Sequence, residues 1–75
     1  MIDQKEFFDF AADVLGVPRG SAGPETAMGS IPQWDSIMHI RLTLELEERF
    51  GFQVPLEKIA ETRTLGAFLA FAENR

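Results

Sequence analysis

Three side chains with chemistry to offer, Asp35, Ser36 and His39, fall within five consecutive positions, just after the segment Gly29-Ser30-Ile31-Pro32-Gln33-Trp34. A serine that acts as a nucleophile needs a general base within hydrogen-bond reach and usually an oxyanion hole. The single histidine of the chain lies three residues farther along and is expected to point away from Ser36, so a hydrolytic triad has little support. A phosphate carried by Ser36 is a different matter. If a helix begins at this serine, its first turn offers unpaired N–H groups and a partial positive charge, a favourable field for an anion. Asp35 is placed to cap the same turn by accepting a hydrogen bond from a backbone N–H. The Ser36 hydroxyl should then face solvent.

The elements that must position this serine can be read from apolar spacing. Between Asp3 and Leu15 the residues Phe7, Phe8, Ala11, Ala12, Val14 and Leu15 recur at three and four, the mark of a helix with one broad buried face. Gly16 is suited to end it in a left-handed conformation. Residues 18–35 are rich in Pro, Gly and Ser and read as a long loop, with Met28, Ile31 and Trp34 as its apolar pins. The strongest helix is expected from Ser36 to Phe50, stopped by Gly51. Its apolar residues Ile40, Leu42, Leu44, Leu46 and Phe50 take up more than half the circumference, which predicts contact with two or more neighbours. Met38, Arg41, Glu45 and Glu48 are expected to look outward. Pro55 followed by Leu56-Glu57-Lys58-Ile59-Ala60 suits a helix of one or two turns. Thr64 caps a last helix that buries Leu65, Phe68, Leu69 and Ala72, with Phe71 beside them. The expected fold is all-α, a four-helix bundle with a long loop between the first two helices and a short third helix.

Composition narrows the function. Seventy-five residues make a single domain, 1–75, and a chain this short buries only about 60% of its unfolded surface. No cysteine is present for disulfides or zinc, the N-terminus lacks the pattern of a signal peptide, and no stretch approaches a bilayer span. A cytoplasmic protein with no membrane partner is the expectation. Twelve acidic against seven basic residues, a net charge of −5, argues against nucleic-acid binding and suits meetings with basic protein surfaces. A monomer is expected.

The Asp35-Ser36-Ile37 segment, followed by a mixed apolar and acidic helix that ends Leu46-Glu47-Glu48-Arg49-Phe50-Gly51, resembles the phosphopantetheine attachment region of acyl carrier proteins. The resemblance extends to Val14-Leu15-Gly16-Val17, Met28-Gly29-Ser30-Ile31 and Thr64-Leu65-Gly66-Ala67-Phe68, and so covers nearly the whole chain. It implies a free-standing carrier with no catalysis of its own and no resident metal. A separate, magnesium-using phosphopantetheinyl transferase would move 4'-phosphopantetheine from coenzyme A onto Ser36, with Asp35 contributing to that step. Partner enzymes would then load and transfer acyl or aminoacyl groups on the arm's thiol. Ile37, Met38, Arg41, Glu45 and Glu48 would form the surface that meets them. Fatty-acid carriers are often strongly acidic in the first half of the central helix, where this chain has His39 and Arg41. Trp34-Asp35-Ser36-Ile37 with His39 looks more like carriers of specialised pathways, such as polyketide, modified-sugar or aminoacyl systems. Peptidyl carriers typically have two glycines before the serine segment, which Gln33-Trp34 does not match.

Each of these residues also has a plainer reading. Asp35-Ser36 is an ordinary way to start a helix, and the rival to the carrier is a helical protein-interaction module in which the pair is only a cap. Arg41, Glu45 and Glu48 could be a solvated face, with an Arg41–Glu45 pair worth a few tenths of a kcal/mol. His39 is expected to be a partly buried, hydrogen-bonded imidazole. Trp34 is expected to anchor the loop, its N–H meeting a loop carbonyl. Phe7, Phe50, Phe68 and Phe71 belong to the core and leave little room for a long acyl chain, which points to short or polar cargo.

Overall fold

The computed structural model describes residues 2–74, which contain four helices: α1 (Gln4–Leu15), α2 (Ser36–Phe50), α3 (Leu56–Ile59) and α4 (Leu65–Glu73). Each long helix starts on a side-chain cap. Asp3 accepts from the N–H groups of Lys5 and Glu6, Asp35 from Met38, and Thr64 from Ala67. Gly16 and Gly51 end α1 and α2 at φ 79° and 69°, a left-handed turn that a residue with a Cβ adopts only at a cost.

α2 packs against both α1 and α4. Phe7, Ala11 and Leu15 of α1, Leu42 and Leu46 of α2, and Leu65, Phe68 and Ala72 of α4 are buried around a common centre, with Trp34, Phe52 and Val54 entering from the loops. Phe8, Val14, Phe50 and Phe71, read from the sequence as core, are partly buried at its edge. Phe50 lies 4.9 Å from Phe7, ring centre to ring centre. Outside the core, Arg49 pairs with Glu6 at 2.7 Å and ties α2 to α1.

The long loop is not structureless. Met28 N–H donates to Arg63 O at 2.8 Å, and Leu65 N–H donates to Thr26 O at 3.0 Å, so the loop is laced to the start of α4. Gly66 N–H reaches Pro24 O at 3.1 Å. A Cβ at Gly66 would stand 3.0 Å from that oxygen and 3.2 Å from the Pro24 Cβ. Gly66→Val is therefore expected to push the loop off α4 and destabilise the protein by about 1–3 kcal/mol, read by urea denaturation. At the other end, Arg19 forms two hydrogen bonds to Asp13, at 3.1 and 2.6 Å, and fixes the loop's departure from α1. The hydrogen bond from Arg19 holds the Asp13 carboxyl below its ordinary range. This tie is present above the ordinary carboxylate range and is lost as pH falls through the lowered value.

The phase of α2 corrects the sequence reading. His39, Leu42, Thr43 and Leu46 face the interior, one stripe at spacings of three, one and three. Met38 lies at the edge of that stripe, four residues before Leu42, and packs half-buried against the core rather than outward. Ile40 and Leu44, expected inside, are 60% and 59% exposed. α2 does contact two neighbours, α1 and α4, but it meets both through this one buried stripe.

Candidate functional site

The geometry around Ser36 follows from the loop that delivers it. Gly29, at φ 87°, turns the chain so that its N–H reaches Trp34 O at 3.1 Å, while Trp34 N–H donates to Ile31 O at 3.2 Å. This closed turn drives the Trp34 indole into the core, where it is 1% exposed. The next residue must come back out, and Asp35 and Ser36 are both exposed. Asp35 Oδ1 accepts from Met38 N–H at 2.8 Å, and Asp35 O accepts from His39 N–H at 2.9 Å. Among the described residues, the N–H groups of Ser36 and Ile37 and the Ser36 hydroxyl make no hydrogen bond within the chain.

His39 is occupied elsewhere. Its Nδ1 accepts from Trp34 Nε1–H at 3.0 Å, and its Nε2 lies 2.8 Å from Ile59 O, an arrangement that assigns the ring proton to Nε2. The Trp34 N–H thus meets an imidazole, not the loop carbonyl that the sequence suggested. With both ring nitrogens used and the residue 5% exposed, His39 is the hydrogen-bonded imidazole expected and is not available to take a proton from Ser36.

On the outer face of α2, Ile37, Ile40, Arg41, Leu44, Glu45 and Glu48 line one open groove that starts beside Ser36. Four of the five partner-facing candidates are there; Met38, half-buried on the flank of the helix, does not line it. Arg41 Nε lies 3.7 Å from Glu45 Oε2, a loose version of the anticipated pair. Ile40 and Leu44 belong to this face and were missed. The signal lay in their spacing from Ile37, three and seven residues, which puts all three in one row once Leu42 and Leu46 are taken as the inward face.

The site fits a covalently attached phosphate ester. The hydroxyl is exposed, the first-turn N–H groups beside it are unpaired, and the macrodipole favours negative charge there. Sequence comparison decides what kind of protein presents it. Residues 5–72 match the family model described as the phosphopantetheine attachment site. The chain belongs to the acyl carrier protein family. It is 33% identical to the acyl carrier protein of Rubrobacter xylanophilus over 57 residues, 76% of this chain and 70% of the relative. Thermosynechococcus vestitus supplies another acyl carrier protein, 31% identical over 64 residues, 85% of this chain and 79% of the relative. A third, from Tropheryma whipplei, is 30% identical over 59 residues, 79% and 72% of the two chains. Acyl carrier proteins are carriers rather than enzymes, and their cofactor is covalent 4'-phosphopantetheine, whose thiol holds acyl groups as thioesters when the group is bound. The partners of this family are transferases and acyl-handling enzymes. No helix among the described residues is long and apolar enough to cross a membrane.

Proposed function

We propose that Ser36 is the attachment point for 4'-phosphopantetheine and that residues 1–75 form one monomeric, cytoplasmic carrier domain. The domain presents thioester-bound acyl or aminoacyl intermediates to the enzymes of a specialised biosynthetic pathway. The observation that carries the reading is the position of Ser36: an exposed, uncommitted hydroxyl at the first position of the central helix, inside the matched family segment. Family membership favours the carrier over an interaction module in which Asp35-Ser36 is only a cap. Asp35 supports the site in two ways, by holding the first turn of α2 through Met38 and by placing a carboxylate next to the serine, where the magnesium-using transferase works.

The chain's own contribution is positional. A tether confines the cargo near its partners and raises its effective concentration without any new contact. The groove beside Ser36 supplies the surface those partners read. We assign partner contact to Ile37, Arg41, Glu45 and Glu48, joined by Ile40 and Leu44. Apolar side chains exposed in a row next to an attachment site make a docking patch, and the flanking charges set its orientation. A specialised pathway is favoured by the first half of α2, where the exposed charge is Arg41 and the acids Glu45, Glu47 and Glu48 come only later.

Incubation with a phosphopantetheinyl transferase, magnesium and coenzyme A tests the reading. Intact-mass spectrometry is expected to show a gain of one phosphopantetheinyl group per chain. A chain that remains at its unmodified mass with a transferase that loads a control carrier contradicts it.

A further inference from the structure

Beneath the turn that presents Ser36, three rings fill the interior. Trp34 stacks on His39 with centres 5.8 Å apart and on Phe68 at 6.4 Å, while His39 and Phe68 meet at a tilt of 51°, 5.7 Å apart. Trp34 and Phe68 are 1% and 0% exposed, and no buried polar side-chain atom among the described residues lacks a partner. His39 is the member of this stack that also holds two elements together. Its Nε2–H bond to Ile59 O joins α2 to α3, a helix of four residues that is held to the core only by the half-buried Ile59 side chain among its own.

An apolar chain tethered at Ser36 gains free energy with every methylene it removes from water, so it will enter the interior if the protein can open for it. One turn along α2 from Ser36, on the inward face of the helix, the interior is occupied by the His39 ring, held at both nitrogens between Trp34 and Ile59 of α3. Parting α2 from α3 would strip His39 of Ile59 O, and moving the imidazole aside would strip it of the Trp34 N–H. Either change leaves a buried polar group without a partner, which opposes entry.

We infer that His39, stacked on Trp34, packed against Phe68 and tied to Ile59, closes the interior to the tethered cargo, so that the acyl group stays outside the helices. His39 is thus a positioning residue that sets which cargo the carrier handles: short or polar groups that gain little from burial, or groups taken up directly by a partner. This rests on the reading that Ser36 carries the arm.

The chain has one tryptophan, so its indole N–H gives a single resonance at the centre of the stack. Wild-type protein is loaded by a phosphopantetheinyl transferase from acetyl-, hexanoyl- or decanoyl-coenzyme A. Intact mass confirms each product, and the indole resonance and melting temperature are then measured. Failure to load overturns the Ser36 reading, and this inference falls with it. With loading confirmed, the expected result is the same indole shift and melting temperature for all three products. A shift or melting temperature that moves progressively with chain length, or nuclear Overhauser contacts from the acyl chain to Phe68 or Leu42, overturns the inference even though the carrier reading survives. In His39→Ala, the indole shift and melting temperature are expected to become chain-length dependent. A folded His39→Ala that stays indifferent to chain length takes the role away from His39. If the variant does not fold, the wild-type comparison decides alone.

Discussion

Ser36→Ala is expected to abolish modification by the transferase while leaving the fold as stable as the parent. The two halves have separate physical grounds. Transfer needs an oxygen at the position where the helix starts, and alanine supplies none. Stability rests elsewhere, because the side chain that caps α2 belongs to Asp35, which accepts from Met38 at 2.8 Å. Ser36 is exposed, and its hydroxyl bonds to no described residue. Alanine is the best helix former, and substitutions at exposed positions away from caps and cores fall within about 0.5 kcal/mol of the parent. Intact mass after treatment with transferase and coenzyme A measures the first half, and urea denaturation followed by circular dichroism the second. A variant that still gains mass would move the attachment point; one that unfolds would make Ser36 a structural residue.

The largest effect on stability is expected at Trp34. Trp34→Ala removes a side chain that is 1% exposed and touches the interior through both His39 and Phe68. Truncation of a buried aromatic residue to alanine costs about 3–5 kcal/mol. Loss of the indole donor adds to this, since His39 Nδ1 is left buried without its partner. A domain of this size has a total stability of only about 4–11 kcal/mol, so much or all of it would go. Trp34→Phe separates the two contributions. It keeps most of the apolar volume and loses the N–H, and is expected to cost about 1–3 kcal/mol on the hydrogen-bond account alone. Thermal and urea denaturation by circular dichroism checks both. Trp34→Ala within about 1 kcal/mol of the parent would mean that the loop does not depend on its indole anchor.

Much of this molecule was legible in its sequence because the signals were local. The caps at Asp35 and Thr64, the stops at Gly16 and Gly51, and the apolar pins Met28, Ile31 and Trp34 are read from residue type and immediate neighbours. The phase of α2 was not local in this sense. Apolar residues occur all around that helix, and two of the residues on its buried stripe, His39 and Thr43, are polar. Both can be inside because their hydrogen bonds are met there: Thr43 Oγ1–H donates to His39 O at 2.8 Å, and His39 has Trp34 and Ile59. Counting apolar positions therefore puts Ile40 and Leu44 inside, whereas they are exposed, and Met38 outside, whereas it is half-buried at the edge of the stripe. Phasing the helix on Leu42 and Leu46 would have avoided this. The lacing of the loop to α4 could not be found at all, since Met28 and Arg63 meet through backbone groups that every residue carries.

The decisive measurement locates the prosthetic group on the chain. The transferase-treated protein is digested, and its peptides are fragmented in the mass spectrometer under conditions that keep the phosphodiester intact. The added mass is expected on Ser36 alone. Its appearance on Ser21, Ser30 or a threonine, with Ser36 unmodified, would contradict the assignment of the helix-start hydroxyl as the carrier site.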